Sequence, residues 1–384
     1  MDQSRLISAV LLIIILFAAA CGPSVTEVPK ATQIPPSLIP QAEPVVISTQ
    51  VNTPAPVLTG TVSPYIPFNL EVINYVTIMN IEGIVAIPVL DVIELEFSPN
   101  EQYLRMRDAL GPGNYKDIYV DLNSGLETLT LEGSQRVYFN PNSTSITALI
   151  DNRLVEYDLK TGEEEAVYTS DYDIAALSPD RKWLVVIEEI DVNGPGTTFI
   201  IVDLDTKEEI HRIFVNTVMD KYGFQFGPAG DLLAGSYIVP PETHITTFWS
   251  LVTGKAVHTL YGFSEIVFDP FNPEVAASNA KQNYISLINI HSWEQRLYLG
   301  DANDGPVYFN MGYTNYSGML YALIDGIDTY PWFWKPRSGE RVWWPVHFGD
   351  LSDITISPGS KLMATSQKNS IVNILGIVSS QEQE

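Results

Sequence analysis

Few residues in this chain have the types and spacing that enzymatic chemistry requires. The five histidines lie in the second half of the chain, and none has a metal-binding partner at local spacing. There is no Gly-x-Ser-x-Gly sequence and no glycine-rich loop between a strand and a helix. The sequence therefore predicts no catalytic residue and no cofactor, and any site that uses the histidines would have to be assembled by the fold.

One acidic loop resembles a calcium-binding sequence. Asp301, Asn303 and Asp304 place oxygen atoms before Gly305, which suits a hard cation. An EF-hand loop needs a glutamate six residues after its glycine, where this chain has Met311. We interpret the loop as a turn. The alternative is a site for an unidentified metal. Its candidate ligands are Asp301, Asn303 and Asp304, and it needs further ligands from elsewhere in the fold.

The densest aromatic cluster contains Trp332 and Trp334, followed after a turn by Trp343 and Trp344. If the turn is a hairpin, Trp332 can oppose Trp343 across two strands. An exposed pair would form a platform for a sugar ring, whereas a buried pair would fill the space between packed strands. We favour packing, and these four tryptophans are the candidate ligand contacts under the other interpretation.

A short phrase recurs along the chain and defines the elements that would position these residues. It has the form Phe97-Ser98-Pro99-Asn100 and occurs seven times, at intervals of roughly forty residues. The seven copies are residues 97–100, 139–142, 177–180, 226–229, 268–271, 309–312 and 356–359. Each copy lies between runs in which apolar and polar residues alternate, which predicts a turn between two strands. The period predicts an all-β, seven-bladed β-propeller with four-stranded blades.

From about residue 66 to 384, the chain resembles the WD-repeat family of seven-bladed propellers, in particular those whose blades carry Phe-Ser-Pro-Asp or Phe-Ser-Pro-Asn. The Gly-His and Trp-Asp pairs of typical WD repeats are nearly absent, and Met311 stands where the sixth phrase should have proline. The last repeat has too few residues for a fourth strand. The resemblance implies that an N-terminal strand completes the last blade, and residues 75–81 are the candidate strand.

The N-terminus has the features of a signal peptide, which we assign to residues 1–20. Arg5 precedes an apolar run that is too short to span a bilayer and ends in three alanines before Cys21. This junction resembles a bacterial lipobox, which implies cleavage before Cys21 and attachment of lipid to its sulfur. Cys21 is the only cysteine, so an intramolecular disulfide is excluded. The alternative is a stray thiol at the end of an uncleaved anchor.

Residues 21–65 are rich in proline and threonine, which predicts a disordered linker between Cys21 and the propeller at 66–384. The chain has 46 acidic and 21 basic residues, for a net charge of −25. Such a surface repels phosphate backbones, so we expect no nucleic-acid partner. It favours cationic ligands or basic protein surfaces, although solubility alone would also account for it.

Together these features predict a lipid-anchored protein on the extracytoplasmic side of a cell membrane. The leading hypothesis is a non-catalytic scaffold that binds a protein, a glycan or another ligand. The alternative is an extracytoplasmic hydrolase or lyase with its site at the central channel, so the sequence leaves enzymatic activity uncertain but favours binding. Asp and Glu residues that converge near the channel with raised pKa values would favour the enzyme.

Overall fold

A computed structural model describes residues 70–378, except for 90, 112–113, 189–195, 220–222, 240–242, 280–283, 301–306, 326–328, 343–349 and 369–370. The described residues form 28 β-strands and one short 3-10 helix, Ile78–Asn80. Within these residues, no helix has the length and apolar character needed to cross a membrane. The predicted signal peptide, Cys21 and the predicted linker lie outside the described part of the chain.

The strands form seven four-stranded antiparallel sheets, which are the blades of a ring and confirm the predicted propeller. Blade 1 contains β2 (Val92–Phe97), β3 (Tyr103–Gly111), β4 (Asn114–Asp121) and β5 (Leu126–Glu132). Blade 2 contains β6 (Arg136–Phe139), β7 (Ser145–Ile150), β8 (Arg153–Asp158) and β9 (Glu164–Thr169). Blade 3 contains β10 (Asp173–Leu177), β11 (Trp183–Glu188), β12 (Thr197–Asp203) and β13 (Glu208–Val215).

The remaining blades follow the same order from the inner strand to the outer strand. Blade 4 contains β14 (Phe224–Phe226), β15 (Leu232–Val239), β16 (Thr243–Ser250) and β17 (Ala256–Tyr261). Blade 5 contains β18 (Glu265–Phe268), β19 (Glu274–Asn279), β20 (Tyr284–Asn289) and β21 (Gln295–Leu299). Blade 6 contains β22 (Val307–Tyr313), β23 (Leu320–Asp325), β24 (Tyr330–Lys335) and β25 (Glu340–Val342). Blade 7 contains β26 (Leu351–Ile356), β27 (Leu362–Gln367), β28 (Ile371–Gly376) and β1 (Glu82–Pro88).

Blade 7 is therefore completed by the first strand of the domain, as predicted. β1 pairs antiparallel with β28 from Glu82 opposite Gly376 onward, and Leu70 forms a further bridge to Val378. The inner strand β26 lies beside β2 of blade 1. The N-terminal strand thus gives β28 a partner and closes the ring between blades 7 and 1.

The closing strand lies after the segment that the sequence predicts, so the prediction of a strand at residues 75–81 is wrong. This segment contains a turn and the helix Ile78–Asn80. Asn74 Oδ1 accepts hydrogen bonds from the N–H groups of Val76 at 2.8 Å and Thr77 at 3.2 Å. A side chain that satisfies nearby N–H groups favours a local turn over a strand ladder. Ile78 is fully buried, so the turn still contributes to the core.

A hydroxyl group closes several of the recurring turns. In blades 1, 3 and 7, the Oγ atoms of Ser98, Ser178 and Ser357 accept the N–H of the residue five positions later, at 2.9, 2.8 and 3.0 Å. Thr314 makes the equivalent contact in blade 6 at 2.9 Å. The sixth turn therefore follows Tyr313, and its predicted position at residues 309–312 is wrong. Those residues belong to β22, whose register shift between Phe309 and Gly312 delays the turn.

Candidate functional site

Charged side chains occupy one face of blade 1. Because side chains alternate along a strand, Glu94 and Glu96 of β2 point to the same face. The register places Arg107 opposite Glu94, Arg105 opposite Glu96, and Asp117 of β4 opposite Arg107. The other face of the blade is apolar and packs against blade 7. The charged face is therefore turned toward blade 2.

Arg105 is the centre of this charged face and is only 1% exposed. Its Nη1 atom lies 2.5 Å from Glu96 Oε2 and its Nε atom 3.2 Å from Asp117 Oδ1, while its Nη2 atom pairs with Glu94 Oε1. Nη1 also donates to the carbonyl of Val137 in blade 2 at 3.2 Å. The buried guanidinium is thus compensated by three carboxylates, fixes their positions, and joins blade 1 to blade 2.

Arg107 forms a second row of the same network. Its Nε and Nη2 atoms donate to both oxygens of Asp117 at 2.9 and 3.0 Å. Its Nη1 atom donates to the carbonyl of Gln135 at 3.1 Å and lies 3.4 Å from Glu94 Oε2. The guanidinium carbon lies 5.2 Å from the ring centre of Tyr115. These contacts hold Arg107 in one orientation against blade 2.

A cavity of about 450 Å³ lies over the charged face, between blades 1 and 2. Its volume is in the range of small-molecule sites. The lining residues come from both blades and are Ile93, Glu94, Glu96, Arg105, Arg107, Tyr115, Gln135, Arg136, Val137 and Tyr138. The arrangement presents acceptors, donors and an aromatic ring to one small volume.

The two cavity glutamates have opposite titration behaviour. Burial raises the pKa of both carboxyls, but Arg105 and Arg107 outweigh burial at Glu94, so its pKa is lowered. At Glu96, burial, opposed by Arg105 and reinforced by Glu94 and Asp117, raises the pKa to about 7. Their side chains keep 47% and 40% of their surface accessible on the cavity side, which moderates the effect of burial. Near neutral pH, Glu94 is ionised and Glu96 is partly protonated.

The inner strands carry a ring of polar residues at one level. The residues three positions before the end of each inner strand are, in blade order, Glu94, Arg136, Ile174, Gly223, Glu265, Asn310 and Asp353, of which Gly223 lies just before β14. Arg136 donates from Nη1 to the carbonyl of Phe224 in blade 4 at 3.0 Å, so its side chain extends past blade 3. Five of the seven blades therefore contribute a charged or amide side chain at this level.

Part of this ring joins neighbouring blades. Asp353 Oδ2 accepts the N–H of Leu95 at 2.6 Å, and Asp353 Oδ1 accepts from Asn310 Nδ2 at 3.0 Å. Glu265 Oε1 accepts the N–H of Met311 at 3.0 Å. Burial raises the pKa of Asp353 to about 8 and that of Glu265 to about 7. Because these carboxyls bond to neighbouring blades, we assign them a structural role.

Asp353 should make the stability of the propeller depend on pH. Its folded pKa lies above that of the unfolded chain, so the folded state binds more protons between about pH 4 and pH 8. This contribution is present in full below the unfolded pKa and is lost as pH rises through the folded pKa. As the pH rises toward 8, we expect the unfolding free energy of the wild type to fall relative to that of D353N. The difference should change by at most about 1.4 kcal/mol per pH unit. Urea denaturation from pH 5 to pH 9 measures the difference, and parallel profiles would contradict it.

The structure places two of the four predicted tryptophan contacts. Trp334 is 1% exposed and belongs to a core cluster of blades 5 and 6. Trp332 is half-buried against the same cluster, and the guanidinium of Arg341 lies 4.0 Å from its ring centre. Trp343 and Trp344 lie outside the described residues, as do Asp301, Asn303 and Asp304. Among the residues that are described, no group of three or more His, Cys, Asp or Glu is arranged to hold a metal ion.

Sequence reasoning missed the charged face of blade 1. The relevant signal is Arg105-Met106-Arg107, two arginines at alternate positions of a strand, in a chain with few basic residues. The alternation Glu94-Leu95-Glu96 on the preceding strand carries the matching signal. Both patterns could have been paired once the turn between the strands was recognised.

Comparison with known proteins adds no assignment. A scan against protein-family models finds no match, and a search of curated proteins finds no significant relative.

Proposed function

We propose that this chain is a non-catalytic binding protein whose propeller holds a ligand in the cavity between blades 1 and 2. The observation that supports the proposal best is the fixed arrangement of Glu94 and Glu96 by Arg105 and Arg107. A site whose polar groups are held in place before binding loses little entropy when the ligand enters. Because the carboxylates of Glu94 and Glu96 are paired with arginines rather than left free, they are suited to recognising a ligand.

We further propose that the propeller belongs to the WD-repeat-like family and is displayed as a lipoprotein on the extracytoplasmic side of the cell membrane. The apolar run before Cys21 and the proline-rich residues 21–65 support this proposal. The membrane is then a partner through the lipid on Cys21, and a protein or glycan is the other partner. Incorporation of labelled palmitate should be lost in C21S, and equal labelling of both chains would contradict lipidation.

Filling the cavity should abolish binding. Ile93 lines the cavity and is 43% exposed, so I93W places a large ring in the cavity without replacing a core residue. V257W is the matched control, because Val257 is 45% exposed on the outer strand of blade 4. A library of sugars, amino acids, organic acids and polyamines is screened by thermal shift and then by calorimetric titration. Ligands should bind the wild type and V257W but not I93W, whereas no binding, or equal binding to all three, would refute the site.

The second candidate function is a hydrolase or lyase that uses the same cavity. Glu96, with a pKa near 7, lies beside the ionised Glu94, and such a pair can divide the roles of acid and base. The two functions differ in the fate of the ligand. NMR spectra recorded after incubation should show the ligand unchanged for a binding protein, whereas conversion that is lost in E96Q would establish the enzyme.

A further inference from the structure

The charges around the cavity nearly balance one another, although the chain as a whole is strongly acidic. Arg105, Arg107 and Arg136 provide three positive charges, Glu94 and the adjoining Asp117 provide two negative charges, and the partly protonated Glu96 provides part of a third. A charged ligand would leave one charge in this recess without compensation, which is costly in a partly desolvated site. The cavity is therefore matched to a ligand without net charge.

Two acceptor atoms at the cavity lack donors. Glu96 bonds to Arg105 through Oε2, and its Oε1 atom has no partner among the described residues. Gln135 Oε1 is buried and likewise finds no donor in the described part of the chain. A buried acceptor such as Gln135 Oε1 costs free energy that a ligand donor would recover. Glu96 Oε1 belongs to a side chain that is 40% exposed and is open to the same kind of donor. Both atoms therefore favour O–H or N–H groups on the ligand.

The same cavity also offers apolar surface. The Tyr138 hydroxyl is directed away from it, because it accepts the N–H of Leu177 in blade 3 at 3.3 Å and its ring packs on the cluster of blades 2 and 3. The ring of Tyr115 and the exposed side chain of Ile93 provide apolar contact area. A ligand that fits must donate hydrogen bonds at neighbouring points and also present C–H groups to a ring.

We infer that the cavity binds a neutral polyhydroxylated ligand, a saccharide unit. Hydroxyl groups donate to Glu96 and Gln135, and the C–H face of the sugar ring packs on Tyr115. A cation would suit Glu96 but would lie near the guanidinium groups of Arg105 and Arg107. An anion would meet guanidinium groups whose charge is already compensated by Glu94, Glu96 and Asp117. This inference rests on the proposed function, because it names the ligand class of the same cavity.

The test uses the full chain and sugars that share a ring shape but differ in charge. Glucose, galactose, mannose, xylose and N-acetylglucosamine are the neutral probes, and glucuronate and glucosamine are the charged analogues. Isothermal titration should show at least one neutral sugar that binds at least about tenfold more tightly than the charged analogues. A difference of this size is what one uncompensated charge contact would cause. Absence of neutral-sugar binding, or charged analogues that bind equally well, overturns the inference.

Variants locate the binding in the cavity. E96Q and Q135L should each weaken the neutral sugar by about tenfold, the effect of losing one hydrogen bond to a buried or charged acceptor. Q135L removes an amide whose buried oxygen has no donor, so it should fold even if E96Q disturbs Arg105. E209Q, on the exposed outer strand of blade 3, is the control and should bind as the wild type does. Unchanged affinity in both cavity variants would overturn the assignment.

The proposed function and the ligand class can fail separately. If a charged probe binds and I93W abolishes its binding, the cavity is a site but does not take a neutral saccharide. If a neutral saccharide binds equally well to I93W, the cavity is not the site, and both proposals fall.

Discussion

Deletion of residues 82–88 is expected to abolish cooperative folding of the propeller. These residues are β1, the fourth strand of blade 7, which pairs with β28 on the side away from β27. Its Ile87 is 3% exposed within the apolar cluster that joins blades 7 and 1. Loss of the strand opens the ring and leaves a bare strand edge. The expected cost is comparable with the whole stability of a domain, about 5–15 kcal/mol. Urea denaturation followed by tryptophan fluorescence measures the effect.

The matched control for this deletion removes seven residues from the predicted linker, 44–50. That deletion should leave the midpoint and slope of the urea transition unchanged, because the linker is predicted to contribute no core residue. A cooperative transition with an unchanged midpoint after deletion of 82–88 would show that β1 is not needed to close the ring.

Replacement of Arg105 by Met is expected to destabilise the protein by about 3–5 kcal/mol. The substitution keeps much of the volume but leaves the fully buried Asp117 with less compensation, and an unpaired buried charge is costly. The hydrogen bond to the Val137 carbonyl in blade 2 is also lost. The measurement is the unfolding free energy from urea denaturation at neutral pH.

The control for Arg105 is R212M. Arg212 also pairs with two glutamates, Glu188 and Glu209, but its side chain is 42% exposed. Exposed ion pairs are screened by solvent, so this replacement should have little effect. Equal losses in the two variants would mean that the charged face of blade 1 is not a buried structural network.

The repeat made the architecture predictable, because seven similar phrases require seven similar supersecondary units. The errors arose where local chemistry departs from the repeat. Asn74 bonds to the N–H groups of Val76 and Thr77 and turns residues 75–81 away from a strand. Blade 6 lacks the proline of the phrase, and a register shift in β22 moves its turn to Thr314. The alternation of apolar and polar residues does not by itself reveal such shifts.

The candidate site was harder to predict than the fold. The charged face depends on which residues of β2, β3 and β4 stand opposite one another, and a shift of one residue would move them to the other face. Its contacts with Gln135 and Val137 also depend on how blade 2 packs on blade 1. Neither relation is encoded in a local motif. The individual residues that the sequence indicated as candidates, such as Trp334, were those whose residue type draws attention without knowledge of the fold.

The measurement that tests the account most directly is a crystal structure of the protein with the tightest-binding sugar from the titration. The account predicts electron density for an intact sugar in the cavity between blades 1 and 2, with hydroxyl groups within hydrogen-bond distance of Glu96 Oε1 and Gln135 Oε1. Density at another surface, with this cavity free of sugar, would contradict the central claim.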